Sequence, residues 1–117
     1  MKPKAVGDTG ELSDGMLAVR VDVDGSAQII ALRGELDMAN AATFAAALEA
    51  AEAEAGSITI DMRELEFIDS TGIAVLVAAH RRLNDGRVRF RLVRSEAAGV
   101  RRVMEVTGLD RELPFVS

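Results

Sequence analysis

The 117-residue sequence contains no cysteine, only two prolines and only four aromatic residues, all of them phenylalanine. Without cysteine the chain can form no disulfide, no cysteine-based zinc site and no thiolate nucleophile. Without tryptophan or tyrosine it lacks the aromatic platforms on which single-stranded nucleic acids stack. The hydrophobic core must therefore be built mainly from alanine, valine, leucine and isoleucine.

The sequence also lacks an excess of positive charge and long apolar runs. The formal net charge is −5, whereas binding to DNA or RNA starts from a basic surface that neutralises phosphates. No segment approaches the ~18 consecutive apolar residues of a membrane-spanning helix, and the N-terminus lacks the apolar region of a signal peptide. One histidine and scattered carboxylates offer no metal-ligand spacing. We expect a cytoplasmic single-domain protein that has no membrane span, nucleic-acid partner, metal or cofactor.

The beginning of the chain divides into a polar segment and a hairpin. Residues 1–14 show no apolar period, so we expect a flexible tail that precedes a domain at residues 15–117. From Met16 onward apolar and polar residues alternate, and Asp24-Gly25-Ser26 then reverses the chain into a second alternating run, Ala27–Arg33. These two runs predict an antiparallel hairpin.

The middle of the chain predicts a long helix. Residues 38–55 are rich in alanine, with apolar residues at helical spacing. Asp37 or Asn40 can cap its start, and Gly56 is placed to end it in the left-handed conformation.

The remainder alternates between strand and helix. We predict strands at 57–61, 88–93 and 113–116, a polar break at 62–66 before Phe67 and Ile68, and helices over 70–83 and from Ser95 to Gly108. Strand–helix–strand connections within one sheet are parallel and right-handed. The expected fold is α/β, with a mixed four- to five-stranded sheet, an N-terminal antiparallel hairpin, parallel core strands and three to four helices.

One short segment, Asp69-Ser70-Thr71-Gly72, combines a helix start with a phosphorylatable residue. Because the strands before it and before Glu35-Leu36-Asp37 are parallel, the two segments should lie side by side at the edge where α/β proteins usually bind ligands. A phosphate on Ser70 would be favoured by the helix dipole and would change the charge strongly. The same residues are also an ordinary N-cap, with Gly72 allowing close packing. The spacing alone does not choose between these interpretations.

Catalysis is not supported by the sequence. A nucleophilic serine needs a base within hydrogen-bond reach, and the sole histidine, His80, would lie about 15 Å from Ser70 along one helix. The segment also differs from the Asp-Ser/Thr-Gly motif of aspartic proteases, because Thr71 stands between the serine and the glycine. We expect that the protein is not an enzyme.

Arginines are frequent in the C-terminal third, but their spacing is typical of solvated faces. Alternation at Arg87, Arg89 and Arg91 predicts one exposed strand face. Such a patch could also bind an acidic partner.

Four motifs together resemble the STAS domains of bacterial anti-sigma factor antagonists. The resemblance runs from about Met16 to Leu113. The motifs follow in order: Gly34-Glu35-Leu36-Asp37, Ile58-Thr59-Ile60-Asp61, Leu65-Glu66-Phe67-Ile68-Asp69-Ser70-Thr71-Gly72-Ile73 and Thr107-Gly108-Leu109.

The resemblance implies a STAS fold and a partner switch. An unmodified antagonist binds an anti-sigma factor that is also a serine kinase, and thereby releases a sigma factor. The kinase then phosphorylates the antagonist, and a PP2C-type phosphatase resets it. The acceptor would be Ser70, with Thr71 as the second choice. Asp37 and Asp69 would be acidic neighbours on the partner-binding surface, which Gly72 completes.

Some features depart from this pattern or leave an alternative open. Family members often have a second glycine where this chain has Ala74. The fold could also serve as a scaffold or interaction subunit of a stress-sensing or membrane-trafficking complex. The absence of a membrane segment or of an added sensory domain favours the free antagonist.

Overall fold

A computed structural model describes residues 8–116 of the chain. Within this range strands and helices follow in this order: β1 Asp8–Asp14, β2 Leu17–Asp24, β3 Ala27–Leu36, α1 Ala41–Glu54, β4 Ser57–Ile68, α2 Ser70–Arg82, β5 Arg89–Val93, α3 Ala98–Thr107, α4 Leu109–Glu112 and β6 Phe115–Val116.

The six strands of residues 8–116 form one sheet, in which they lie in chain order. β1, β2 and β3 pair antiparallel, while β3, β4, β5 and β6 are parallel. This confirms the predicted mixed sheet and its hairpin, which turns at Gly25 with a positive φ of 62°. The sheet has one strand more than the largest number predicted.

The additional strand is β1, and it corrects the prediction that residues 1–14 form a flexible tail. Residues 8–14 pair with β2 along their whole length, from Asp8 opposite Val23 to Asp14 opposite Leu17. The hydrophobic pattern missed this strand because it lies at the sheet edge: its one large apolar residue, Leu12, is 60% exposed. Backbone pairing rather than side-chain burial holds it. Residues 1–7 lie outside the described range.

β4 is also longer than predicted, since the expected break at 62–66 does not interrupt it. The register between β3 and β4 shifts twice in this region. Such irregularities change which face a side chain occupies without ending the strand. Met62 and Leu65 consequently remain fully buried, while Arg63 and Glu64 are exposed.

Two predicted helix-end residues have other roles. Gly56 does not end α1 in the left-handed conformation: Ala55 is already extended, and the Gly56 N–H donates to the Ser26 carbonyl at 2.7 Å. Ser95 does not cap a helix, because α3 begins only at Ala98. Its buried hydroxyl donates to the Leu65 carbonyl at 2.6 Å and accepts from the Ala97 N–H at 3.0 Å.

The sheet buries one face and leaves the other open. Along β3, Ile30 and Leu32 are buried while Ile29 and Arg33 are exposed. Each connection between parallel strands leads to the next strand toward the β6 edge of the sheet. Because such connections are right-handed, their helices lie on the same face of the sheet. Phe44 and Leu48 of α1 and Leu76 of α2 are completely buried. The predicted alternation in β5 is confirmed, since Arg89 and Arg91 are exposed.

Candidate functional site

The site lies where β3 and β4 end together. Leu36 and Ile68, their last residues, are paired in the parallel register. The Asp69 N–H donates to the Leu36 carbonyl at 3.1 Å. After β3 the chain enters the loop before α1, and after β4 it enters α2 directly. This confirms the predicted proximity of the Asp37 and Ser70 segments.

Asp69 connects these two segments through its side chain. One carboxylate oxygen, Oδ1, accepts from the N–H groups of Thr71 and Gly72 at 2.9 and 3.1 Å. The other, Oδ2, accepts from the Met38 N–H at 3.1 Å. Asp69 is therefore the N-cap of α2, as the capping interpretation predicted, and it also fixes the neighbouring loop to the start of this helix.

Ser70 is the first residue of α2, and it is exposed. Among residues 8–116 no side-chain hydrogen bond involves its hydroxyl, whereas the neighbouring Asp69 is fully engaged. Thr71 is half-buried. Of the two hydroxyl groups in the segment, that of Ser70 is the more accessible to a modifying enzyme.

Gly72 brings α2 close to the end of β3. A Cβ atom at this position would lie 2.6 Å from Leu36 Cγ and 3.0 Å from Ile68 Cγ1. Both neighbours belong to the buried core. The close-packing role predicted for this glycine is thus supported, and it determines how near Ser70 lies to the sheet.

The loop before α1 is held by side chains that were expected to cap the helix. Asn40 occupies the N-cap position but makes no side-chain cap hydrogen bond. It is buried, accepts from the Asp37 N–H at 3.0 Å and donates to the Glu35 carbonyl at 3.0 Å. The Asp37 carboxylate accepts from the Ala39 N–H at 3.0 Å. Neither residue caps α1 as predicted; both shape the loop instead.

The only histidine is remote from this site. His80 lies in the last turn of α2, ten residues after Ser70, which places it about 15 Å away by the helical rise. Among the described residues no group of three or more His, Cys, Asp or Glu side chains could hold a metal ion.

A comparison with protein families identifies the fold. A family model described as "Mlab, STAS domain" matches residues 19–116. The chain belongs to the STAS domain family. A search among curated proteins finds no match.

Solved structures of the same fold include several anti-sigma factor antagonists. One from Mycobacterium paratuberculosis is 25% identical, covers 97% of this chain and 89% of its own, and superposes with a TM-score of 0.71. The unphosphorylated Bacillus antagonist SpoIIAA is 22% identical. The match covers 85% of this chain and 88% of SpoIIAA, with a TM-score of 0.70. The Thermotoga maritima protein TM1081 is 26% identical. The match covers 76% of this chain and 79% of TM1081, with a TM-score of 0.64.

This STAS domain exposes apolar side chains at the site that sequence reasoning did not single out. Met16 is 65% exposed, Met38 77% and Phe67 47%. All three lie at the end of the sheet that carries Ser70, in the β1–β2 turn, in the loop after β3 and near the end of β4. In the sequence, exposure of an apolar side chain at this site is indicated only at Met16, which follows the turn residue Gly15.

Asp61, from the second of the motifs, lies elsewhere. It pairs across the sheet with Val93, and its carboxylate binds Arg63 Nη2 at 2.8 Å. The hydrogen bond from the Arg63 side chain lowers the pKa of Asp61. This ion pair belongs to the sheet surface rather than to the Ser70 site.

None of the helices in the described part of this STAS domain has the length and apolar character needed to cross a membrane.

Proposed function

We propose that this STAS domain is an anti-sigma factor antagonist. In its unmodified form it binds an anti-sigma factor that is also a serine kinase, and so releases a sigma factor. Phosphorylation of Ser70 ends the binding, and a PP2C-type phosphatase restores it. The protein acts by binding and is itself the substrate of enzymes rather than a catalyst.

The observation that carries this proposal is the position of Ser70. Its hydroxyl is exposed on the first residue of α2 and has no hydrogen-bond partner within residues 8–116. The positive end of the helix dipole favours a phosphate at such a position. Membership of the STAS family and the similarity to a 25% identical antagonist support the same role.

Asp69 and Asp37 would contribute in different ways. Asp69 uses both oxygens within the chain, so it positions the Ser70 helix against the Met38 loop. Asp37 is half-buried and retains exposed surface for the partner. The adjacent Thr71 and Gly72 complete the surface, Thr71 by contact and Gly72 by allowing the close approach of α2.

Release would follow from bulk and charge at Ser70. A phosphoserine adds about −1.5 to −2 charges at neutral pH. It would meet a closely fitted partner whose own bound nucleotide phosphates are negative, so like charges would be brought together. A helix start accommodates phosphate without a backbone change. We therefore expect residues 69–83 to keep their backbone positions after phosphorylation.

The test combines labelling and binding. The purified chain is incubated with each kinase-type anti-sigma factor of its source organism and γ-labelled ATP, and complexes are measured by pull-down. The parent should be labelled, whereas Ser70→Ala should remain unlabelled but bind, and Ser70→Asp should lose binding. Thr71→Val tests the neighbouring hydroxyl and should still be labelled, because the acceptor Ser70 is intact.

Ser26→Ala is a matched control, because Ser26 is exposed at the other end of the sheet, in the β2–β3 turn. It should behave as the parent does. If a folded parent chain were neither bound nor labelled by any such kinase, the antagonist role would be wrong, and the scaffold role would become the better explanation.

A further inference from the structure

We propose that the kinase docks on an apolar triad, Met16, Met38 and Phe67, surrounded by a rim of carboxylates. This inference rests on the proposed function, because the kinase supplies the partner. It adds which side chains provide the contact, and it assigns the β1–β2 turn to the interface. The partner surface that fits has apolar pockets bordered by basic groups.

The triad consists of three large apolar side chains that are exposed in separate parts of the chain: the β1–β2 turn, the loop after β3 and the end of β4. Met16, Met38 and Phe67 expose 65%, 77% and 47% of their surface, respectively. Single exposed apolar residues are normal, but grouped ones mark interaction surfaces. Methionine is a flexible side chain that adapts to a partner's surface. None of the three contributes to the buried core.

Backbone contacts bring the triad to Ser70. The Met38 N–H donates to Asp69, the residue before Ser70. Phe67 precedes Ser70 by three residues, which limits their Cα separation to about 11 Å. The Met16 carbonyl accepts from the Glu35 N–H at 2.9 Å, and Glu35 is paired with Phe67, one strand spacing of about 4.8 Å away.

A protein interface centred on Ser70 is large enough to cover all three side chains. A stable complex buries about 800 Å² on each partner, equivalent to a disc of roughly 16 Å radius. A kinase that transfers phosphate to Ser70 Oγ must cover this hydroxyl and its surroundings. Such a footprint extends over the Met38 loop and the end of β4, and reaches the β1–β2 turn.

The rim indicates the partner's charge. Carboxylates of the described chain at this end of the sheet are Asp14, Glu35, Asp37, Glu66 and Asp69. The Asp14 carboxylate accepts from Thr43 Oγ1 at 2.6 Å, which fastens the β1–β2 turn to α1. Fixed negative charges around an apolar centre are complementary to a basic rim, which increases the association rate at low salt.

The experiment measures binding and phosphorylation of the full chain separately. Met16→Ser, Met38→Ser and Phe67→Ser are each made in the Ser70→Ala background for Kd measurement, and in the parent for labelling rates. Val106→Ser is the matched control, since Val106 is 71% exposed but lies near the end of α3. Thermal unfolding checks that each variant is folded.

Each triad variant should raise Kd and the KM for labelling by about tenfold or more, as interface anchors do. The kcat for phosphate transfer should stay unchanged, because Ser70 is intact. Val106→Ser should match the parent, and added salt should weaken binding of the parent.

If the parent is labelled while all folded triad variants keep its Kd and KM, the triad is not the docking centre, and the proposed function stands without it. If no kinase labels the folded parent at all, both proposals are wrong.

Discussion

Replacing Gly72 with alanine tests the packing that sets the position of the Ser70 helix. The added Cβ would lie 2.6 and 2.9 Å from Leu36 Cγ and Cδ2, and 3.0 Å from Ile68 Cγ1. Leu36 is completely buried, so it cannot turn into solvent to make room. Accommodating the methyl group requires α2 or the end of β3 to move.

The expected magnitude combines two opposing effects. Overpacking a core typically costs about 1–3 kcal/mol, while alanine is better than glycine in a helix by about 1 kcal/mol. The net loss of unfolding free energy should be up to about 2 kcal/mol, which corresponds to a Tm decrease of up to roughly 8 °C for a domain of this size. The start of α2, and Ser70 with it, should be displaced.

Gly99→Ala is the matched control, because Gly99 is also in a first helical turn but has nothing within 4 Å of its potential Cβ. It should be neutral or raise Tm slightly, since only the helix preference acts. Both variants are followed by circular dichroism during heating. If Gly72→Ala proved as stable as Gly99→Ala, the contact with Leu36 would not limit this position, and the reasoning would be refuted.

Two further variants test single interactions. Asp69→Ala removes the acceptor for three N–H groups and should lower the free energy of unfolding, measured by chemical denaturation, by about 1–2 kcal/mol. Asp69→Asn keeps one carbonyl oxygen and should lose less. Equal losses in the two variants would contradict a stabilising role for that oxygen. Asp61→Asn tests the ion pair with Arg63. Because that pair lowers the pKa of Asp61, its stabilisation should be complete above about pH 5 and disappear as the pH falls through the lowered pKa. A stability difference between parent and variant that persisted in acid would contradict this.

Local patterns were enough to predict α1, α2 and α3 and the cap of α2. A helix start depends on residues within one turn, and Asp69 with Thr71 and Gly72 forms such a unit. β1 and the middle of β4 show no such local pattern. An edge strand buries almost no side chain, and a register shift changes the exposed face, so neither leaves a regular apolar period in the sequence.

The amino-acid sequence by itself determined the α/β class, the STAS resemblance and the placement of Ser70 at a helix start, because these follow from periodicity, turn residues and short motifs. Only the tertiary structure decided that Asp69 also binds the Met38 loop, that Gly72 meets Leu36, and that Met16, Met38 and Phe67 are exposed at one end of the sheet. These relations join residues up to about fifty positions apart. They exist because strand pairing brings the ends of β2, β3 and β4 together, and no local pattern records which side chains are left uncovered there.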